Sequence, residues 1–356
     1  MGALRRVFSQ ADKNCASLGA DFEFLGRSRA RASPRNRPRN SKSAAQSKRT
    51  LLDHPLLEAH NKELRKRVVD LLKQAFTVSR DSNLVFVCGG NDPSHMRQRF
   101  ATYFPDNLAD FEFFEPEFAM ENYFLSGDPE PFNIGDFEEL VGRLSHSIVL
   151  FPEGPGSFAE LGYFSMQPEL ASKTVLVIDT DRQLNDSFIS LGPAAKISST
   201  SVFQPTIYTN YAAPNFDLIR ERLKSRKPLS RNRKTVKYDK FSTVSDYDLF
   251  ALVFEIIQLL RFSTSEDLFY MLNAIFKGNI NKSKVRKLIS ILVGSKRLHE
   301  YGDLGHLLIN EKARTFFKPR DGYREQLFEV NVSIAQIINA ASNDFAGLRE
   351  QLDHAG

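Results

Sequence analysis

Residues 147–163 constrain the fold of this chain more than any other stretch. They open with the apolar, β-branched run Ile148–Phe151, which predicts a buried parallel strand. A Gly-Pro-Gly turn at 154–156 follows, and Ser157 then begins a predicted helix. A strand, a Gly-rich turn and a helix place backbone N–H groups at the carboxyl end of a parallel strand. Open α/β sheets bind anionic ligands at that place.

Glu160 lies three residues after Ser157, and this spacing supports two interpretations. In the first, Ser157-x-x-Glu160 is a capping box, and the Glu160 side chain only reaches back to the Ser157 N–H. In the second, Glu160 is a carboxylate on the first helical turn that faces the ligand crevice. We favour the second, because the turn holds two glycines within three residues and a second pair, Gly89-Gly90, follows another predicted strand.

The segment Pro152-Glu-Gly-Pro-Gly-Ser-Phe-Ala-Glu160 resembles the PGGxGTxxE motif of the "lonely guy" phosphoribohydrolases. Glu153 stands in place of a Gly, and Ser157 in place of the Thr. The segment is also similar to the Gly-Thr-x-x-Glu motif of nucleoside 2-deoxyribosyltransferases, in which the Glu is the nucleophile. Together with Leu84–Gly90 and Asp186–Pro193, it most closely resembles the effector proteins of type II retrons.

This resemblance covers roughly residues 50–345 and implies both a fold and a role. The implied fold is a Rossmann-like, doubly wound parallel sheet of the deoxyribosyltransferase type over 50–226, then an α-rich winged-helix domain over 244–318. The implied role is that of a retron antiphage effector, a toxin that acts as an N-glycosidase and hydrolyses a nucleotide, with NAD favoured, through Glu160. The reverse transcriptase and its RNA-linked DNA (msDNA) would hold it in check, in a bacterial cytoplasm.

Other functions stay open beside this one. Base exchange on a nucleoside or nucleotide, and hydrolysis of a nucleoside monophosphate, are the activities of the two sibling families. A DNA-bound regulator that senses a nucleotide without cleaving it is an alternative of another class. No cofactor is expected, because NAD would be the substrate, and no metal motif is present in the sequence. Terminal helices predicted over 319–356 are a candidate surface for a homo-oligomer.

Hydrophobic periodicity predicts strands that alternate with helices, which calls for a doubly wound parallel sheet. The predicted strands are Leu84–Cys88, Phe111–Glu115, Thr174–Asp179 and Thr206–Thr209. The predicted helices are His54–Arg80, Pro93–Phe104, Asn133–Ser145 and Asn215–Ser225. Farther along, the helices Tyr247–Arg261, Glu266–Phe276 and Lys282–Val293 and the strand Leu307–Asn310 suit a winged helix. Ser263-x-x-Glu266 is the predicted capping box of the second of these helices.

The substrate is expected to bind through backbone N–H groups of the two Gly-rich turns and through one hydroxyl. The residues are Gly89, Gly90, Asn91, Gly154, Gly156 and Ser157. The resemblance to deoxyribosyltransferases assigns Asp136 to a ribose hydroxyl; a surface residue favoured by the helix dipole is its alternative. Arg97 and Arg99 are near enough in sequence to reach an anionic ligand, and Glu117 is a weaker candidate for the cleft.

The net charge of +5 is unevenly distributed along the chain. Residues 1–49, a predicted disordered basic tail, carry +9, which leaves −4 for the remainder. Nucleic-acid binding must then depend on local clusters, in the predicted basic linker 227–243 and in the helix that begins at Lys282. The candidate residues are Arg231, Arg233, Lys234, Lys282, Lys284, Arg286 and Lys287.

Two further observations exclude classes of protein. The two cysteines, Cys15 and Cys88, are far apart and give no disulfide framework, which suits a reducing cytosol. No apolar run approaches the length of a membrane span.

Overall fold

The computed structural model of this chain describes residues 54–79, 83–125, 133–181, 186–225, 234–302, 305–310 and 313–341. The predicted tail 1–49, the predicted linker residues Arg231 and Arg233, and residues 342–356 lie outside this set. Contacts group residues 50–356 into one unit.

The secondary structure alternates between strands and helices up to Ser225 and is mainly helical after Lys240. The strands are β1 (Phe76–Val78), β2 (Leu84–Cys88), β3 (Glu112–Phe114), β4 (Ser147–Leu150), β5 (Thr174–Asp179), β6 (Ile207–Thr209), β7 (Phe262–Ser263), β8 (Leu298–Tyr301), β9 (His306–Ile309) and β10 (Phe317–Pro319). The helices are α1 (Lys62–Gln74), α2 (Met96–Asn107), α3 (Pro116–Leu125), α4 (Ile134–Leu144), α5 (Pro155–Met166), α6 (Pro168–Lys173), α7 (Ala195–Thr200), α8 (Asp217–Ser225), α9 (Asp246–Leu260), α10 (Ser265–Phe276), α11 (Lys282–Gly294) and α12 (Arg324–Ala340).

Five parallel strands form the central sheet in the order β3-β2-β4-β5-β6. Counted along the chain this is the order 2-1-3-4-5 of a flavodoxin-like, doubly wound sheet, and its switch point lies between β2 and β4. Every residue of β2, β4 and β5 is buried, as continuous apolar strands of a covered parallel sheet require. The predicted parallel α/β sheet is therefore confirmed.

Helices cover both faces of this sheet, and the alternation of strand side chains decides which face each helix meets. Val85 and Val87 of β2 pack in one apolar cluster with Phe100 of α2. Phe86 and Cys88 belong to the other cluster, which contains the buried side chains of α4 and α5. Helices α2 and α5 therefore begin at the same edge of the sheet but lie on opposite faces.

The C-terminal half contains α9, α10 and α11 together with a small antiparallel sheet in the order β7-β9-β8. The three helices agree with those predicted from sequence to within one residue at each end. Helix α11 packs closely against α3. A Cβ atom added to Gly294 would lie 2.7 Å from the Cβ of Ala119, so this crossing leaves no room for a larger side chain.

Four local predictions were wrong. The first helix ends at Gln74, and β1 then pairs antiparallel with β10, a partner that local periodicity cannot reveal. Helix α2 begins at Met96 instead of Pro93. Helix α5 begins at Pro155, so Ser157 is its third residue. The capping box of α10 is formed by Thr264 and Asp267, one residue later than predicted, with N–H to side-chain distances of 2.8 and 3.2 Å.

No helix among the described residues is both long and apolar enough to span a bilayer.

Candidate active site

Glu160 lies on the second turn of α5, just beyond the carboxyl end of β4. The Ser157 hydroxyl accepts hydrogen bonds from the backbone N–H groups of Glu153 and Gly154, each at 3.0 Å, and so closes the N-terminus of this helix. The alternative interpretation of Ser157-x-x-Glu160 as a capping box is therefore wrong, because the Ser157 hydroxyl accepts from Glu153 and Gly154 and Glu160 takes no part. The carboxyl of Glu160 therefore does not cap the helix.

The Glu160 carboxyl is half-buried beside β2. The Cys88 thiol donates a hydrogen bond to it, while its Oε2 is buried and has no partner among the described residues. Burial raises the pKa of Glu160 to about 7; Arg97 and the Cys88 hydrogen bond oppose this rise, and Glu117 adds to it. The group therefore ionises at a higher pH than an exposed carboxyl, and perturbed pKa values of this kind cluster at functional sites.

Arg97 brings a buried positive charge to this cluster from the first turn of α2. Its side chain is almost fully buried, with 5% of the residue exposed. Its Nη1 lies 2.8 Å from Glu117 Oε1, and its Nη2 donates to Asn91 Oδ1. The guanidinium holds the pKa of Glu160 below the value that burial alone would give. Sequence reasoning had named Arg97 and Glu117 only as minor candidates, yet they are paired here.

Glu138, on α4, is a member of the cluster that sequence reasoning missed. Burial raises its pKa to about 8, with further contributions from Glu160 and Glu117, and Arg97 opposes the rise. Glu138 therefore keeps its proton to a higher pH than an exposed carboxyl does. The sequence gives only a weak signal for it, because Glu138 follows the buried Phe137 but Ile134, one turn earlier on α4, is exposed.

Asp136, the predicted ribose ligand, lies elsewhere on the same helix. It is exposed and lines a cavity of about 360 Å³ with Arg143 and Lys284 among others. The structure thus brings Glu138 near Glu160, whereas Asp136 lines a cavity to which neither of them contributes. A role for Asp136 with ribose stays a prediction.

The two Gly-rich turns predicted to bind phosphate or ribose differ in what surrounds them. At the first, the N–H of Gly90 already donates to the carboxylate of Glu153, at 2.8 Å. At the second, nothing lies within 4 Å of where a Cβ would stand on Gly154 or Gly156, so this turn is open. The open turn is the one that precedes Glu160.

A cavity of about 380 Å³ lies at the carboxyl edge of the sheet, on the α2 face. Its lining includes Glu153, Asp179, Tyr211 and Arg99, but not Glu160, which lies on the other face. Arg99 donates to the backbone carbonyl oxygen of Tyr211, so its guanidinium is already bound to another part of the cavity lining. No group of three His, Cys, Asp or Glu side chains in the described part of the chain is arranged to bind a metal ion.

The basic residues of α11 make internal contacts on the side that faces the α/β half. Lys284 forms an ion pair with Asp246, and the Lys287 ammonium lies 6.0 Å from the centre of the Tyr123 ring on α3. These two side chains are therefore partly occupied by contacts within the protein.

The other candidate nucleic-acid ligands contact α10 or lie beside β1. Lys282 is exposed, and its Nζ lies 3.4 Å from Glu266. Lys282 and Arg286 both lie over the Phe269 ring, at 4.8 and 5.2 Å from its centre. Lys234 is exposed and bridges to Val78 through its backbone.

Comparison with known proteins places these features in a family context. Residues 93–300, more than half of the chain, match the family described as STM3845 retron effector protein. The chain is 32% identical over 124 residues to the "Retron Ec86 putative ribosyltransferase/DNA-binding protein" of Escherichia coli, across 34% of this chain and 40% of that relative. It is 32% identical over 123 residues to the corresponding protein of retron Ec73, across 33% of this chain and 38% of that relative. The alignments thus span less than half of either relative.

Proposed function

The chain belongs to the STM3845 retron effector protein family, and we propose that it is the effector of a retron antiphage system and cleaves an N-glycosidic bond of a nucleotide. The ribosyltransferase names of its relatives support chemistry at a ribosyl bond. The observation that carries the proposal is Glu160, a half-buried carboxyl with one unpartnered oxygen next to the switch point of the sheet. We favour NAD as the substrate and water as the acceptor.

Glu160 would act on the ribosyl carbon. As the bond between C1′ and the base nitrogen breaks, its electron pair leaves with the base and the sugar becomes an oxocarbenium-like cation. The Glu160 carboxylate stabilises or traps that cation, and water then adds at C1′ and loses a proton. Nicotinamide leaves NAD as a neutral molecule, so this reaction needs no separate proton donor. At the turn 154–157 the Gly154 N–H already donates to the Ser157 hydroxyl, so the N–H groups of Gly156 and Ser157 would hold phosphate or ribose.

Glu138 supports a second candidate reaction, the release or exchange of an ordinary nucleobase. Such a base leaves more easily when it receives a proton. Burial raises the pKa of Glu138 to about 8, so at neutral pH this carboxyl still holds a proton that it can donate.

The C-terminal half supports a nucleic-acid-binding role. The order α9-β7-α10-α11-β8-β9, with an antiparallel β7-β9-β8 sheet, is that expected of a winged helix, in which α11 would be the recognition helix. The names of the relatives include DNA binding. We propose that this half engages the retron's reverse transcriptase or RNA-linked DNA, which would restrain the enzyme until infection.

The test is product analysis with purified protein, NAD and a panel of nucleosides and nucleotides. Glu160→Gln keeps the size of the side chain and removes its charge, so we expect turnover to fall at least about 100-fold. Glu169→Gln, at an exposed carboxyl on the neighbouring α6, is the matched control and should keep full turnover. A folded Glu160→Gln protein with full activity would contradict the catalytic proposal and favour a nucleotide sensor.

A further inference from the structure

The side chain of Glu153 fills the N-terminus of α2. Its Oε1 accepts a hydrogen bond from the N–H of Gly90 at 2.8 Å, and its Oε2 accepts one from the N–H of Met96 at 2.7 Å. A longer contact of 3.4 Å joins Oε1 to the N–H of Arg97. Three backbone donors from two segments of chain thus converge on one internal carboxylate.

These donors form the kind of cradle that binds phosphate in other α/β proteins. They combine the glycine turn after the first core strand with the first turn of a 12-residue helix, where N–H groups lack helical partners. Here the cradle already holds an anion that belongs to the protein. The glycine turn is also closed around it, because a Cβ on Gly89 would lie 2.7 Å from Glu153 Oε1.

The position is nevertheless next to space that a ligand can enter. Glu153 lines the cavity of about 380 Å³ at the carboxyl edge of the sheet, together with His95 and Arg99. A phosphate that entered this cavity would lie near the negative charge of the Glu153 carboxylate. The backbone N–H groups that could bind the phosphate already donate to that carboxylate. Like charges in such proximity repel strongly, and the carboxylate has no free donor to offer.

We propose that Glu153 is a specificity-determining residue that excludes phosphate groups from the first βα turn. The inference rests on the proposed function, since it concerns which ribosyl substrate this site accepts. The other helix N-terminus at the switch point is that of α5, where the neutral Ser157 hydroxyl, and not a carboxylate, accepts from the backbone, and where nothing crowds Gly154 or Gly156. A substrate that must place its phosphate at this turn therefore binds more weakly than the corresponding nucleoside. A nucleoside 5′-monophosphate bound in that manner is an example.

The test is direct binding, which needs no turnover and so stays informative if the enzymatic proposal fails. Calorimetry would measure the affinity of wild type, Glu153→Ala and Glu153→Gln for inorganic phosphate, for a nucleoside 5′-monophosphate and for the same nucleoside. We expect Glu153→Ala to bind phosphate and the monophosphate at least about tenfold more tightly than wild type, with the nucleoside changed less than about twofold. Glu153→Gln should show a smaller gain of the same sign.

Glu169→Ala serves as a control for the removal of a carboxylate from the surface, and thermal melting confirms that each variant is folded. If Glu153→Ala does not fold, Glu153→Gln decides the matter, since it keeps the shape of the side chain. Folded variants that bind phosphate no better than wild type would overturn the proposal and leave Glu153 a helix cap only. Tight phosphate binding by wild type that no Glu153 variant improves would overturn it as well.

Discussion

At the scale of single residues, burial of Glu160 should be visible in the stability of the protein. Its folded-state pKa of about 7 lies above the ordinary 4.5, so the carboxylate form is disfavoured by the fold. The stability that the neutral form contributes is present below pH 4.5 and is lost as the pH rises through 7. The loss at pH 8 is at most roughly 3 kcal/mol, since one pKa unit is worth about 1.4 kcal/mol.

Glu160→Gln should therefore melt at nearly the wild-type temperature at pH 4.5 and at a higher temperature than wild type at pH 8. A purely structural hydrogen-bonding role would give the opposite result, a loss of about 1 kcal/mol that persists at both pH values. Melting curves at the two pH values, with Glu169→Gln as the surface control, distinguish the two.

Arg97 should set the pH at which the enzyme becomes active. In the proposed mechanism the ionised form of Glu160 stabilises the ribosyl cation, so kcat/KM is expected to rise with pH through about 7. Because Arg97 lowers the pKa of Glu160, Arg97→Met should move this rise in kcat/KM, the acid limb of the pH profile, to higher pH, whereas Arg97→Lys should move it less.

Arg99→Met, which removes a cation from the same helix away from Glu160, is the control. An acid limb that Arg97→Met leaves in place would show that another group controls it.

The sequence pointed to Glu160 because its signal is local: a strand, a glycine turn and a carboxylate within 14 residues. It could not assign Glu138 or the Arg97–Glu117 pair, since their significance depends on α2, α3 and α4 meeting at one edge of the sheet. For Asp136, periodicity identified the helix correctly but could not tell which side of it faces Glu160.

At the scale of elements, helix α11 allows a prediction about nucleic-acid binding. Lys282 and Arg286 lie over an aromatic ring. Lys282 pairs with Glu266 but its side chain is 48% exposed, whereas Lys284, paired with Asp246, is 31% exposed. Replacing Lys282 and Arg286 by Ala should weaken binding of RNA-linked DNA and reduce the salt slope by about one unit for each phosphate that is no longer neutralised. Lys284→Ala should change the slope less. Binding measured across a salt series tests this, and equal slopes in all variants would mean that these charges do not bind phosphate.

Elements with strong internal periodicity were predicted well, and elements defined by distant partners were not. β2 and β5 were predicted to the residue, because each contains a continuous apolar run with a clear end: a glycine follows β2, and Thr174 and Asp179 flank the apolar run of β5. The β1–β10 pair joins residues more than 200 positions apart, and no local pattern records it. The start of α2 was misplaced because the carboxylate of Glu153, from a different loop, caps the N–H of Met96.

At the scale of the whole molecule, α3 connects the candidate active site with the helical half. Its Glu117 pairs with Arg97 at 2.8 Å, and its Ala119 packs closely against Gly294 of α11. Any event that moves α11 must therefore displace α3 or separate the two helices. The arrangement offers a physical route by which a nucleic acid bound to α11 would alter the charge environment of Glu160.

The folded unit of residues 50–356 should not need the N-terminal tail for catalysis. Residues 1–49 carry +9 and offer little apolar surface, so ordering each of them would cost about 1–2 kcal/mol without a matching gain.

A chain that begins at Leu51 retains His54, which is buried and whose backbone N–H donates to the Asp267 carboxylate at 3.1 Å. We expect this truncated protein to keep its melting temperature and the proposed glycosidase activity, and to lose some affinity for nucleic acid at low salt, where the charge of the tail is least screened. Truncation at Glu58, which removes His54, is the matched comparison and should lower the melting temperature. If truncation at Leu51 itself unfolds the protein or abolishes turnover, the tail belongs to the folded unit.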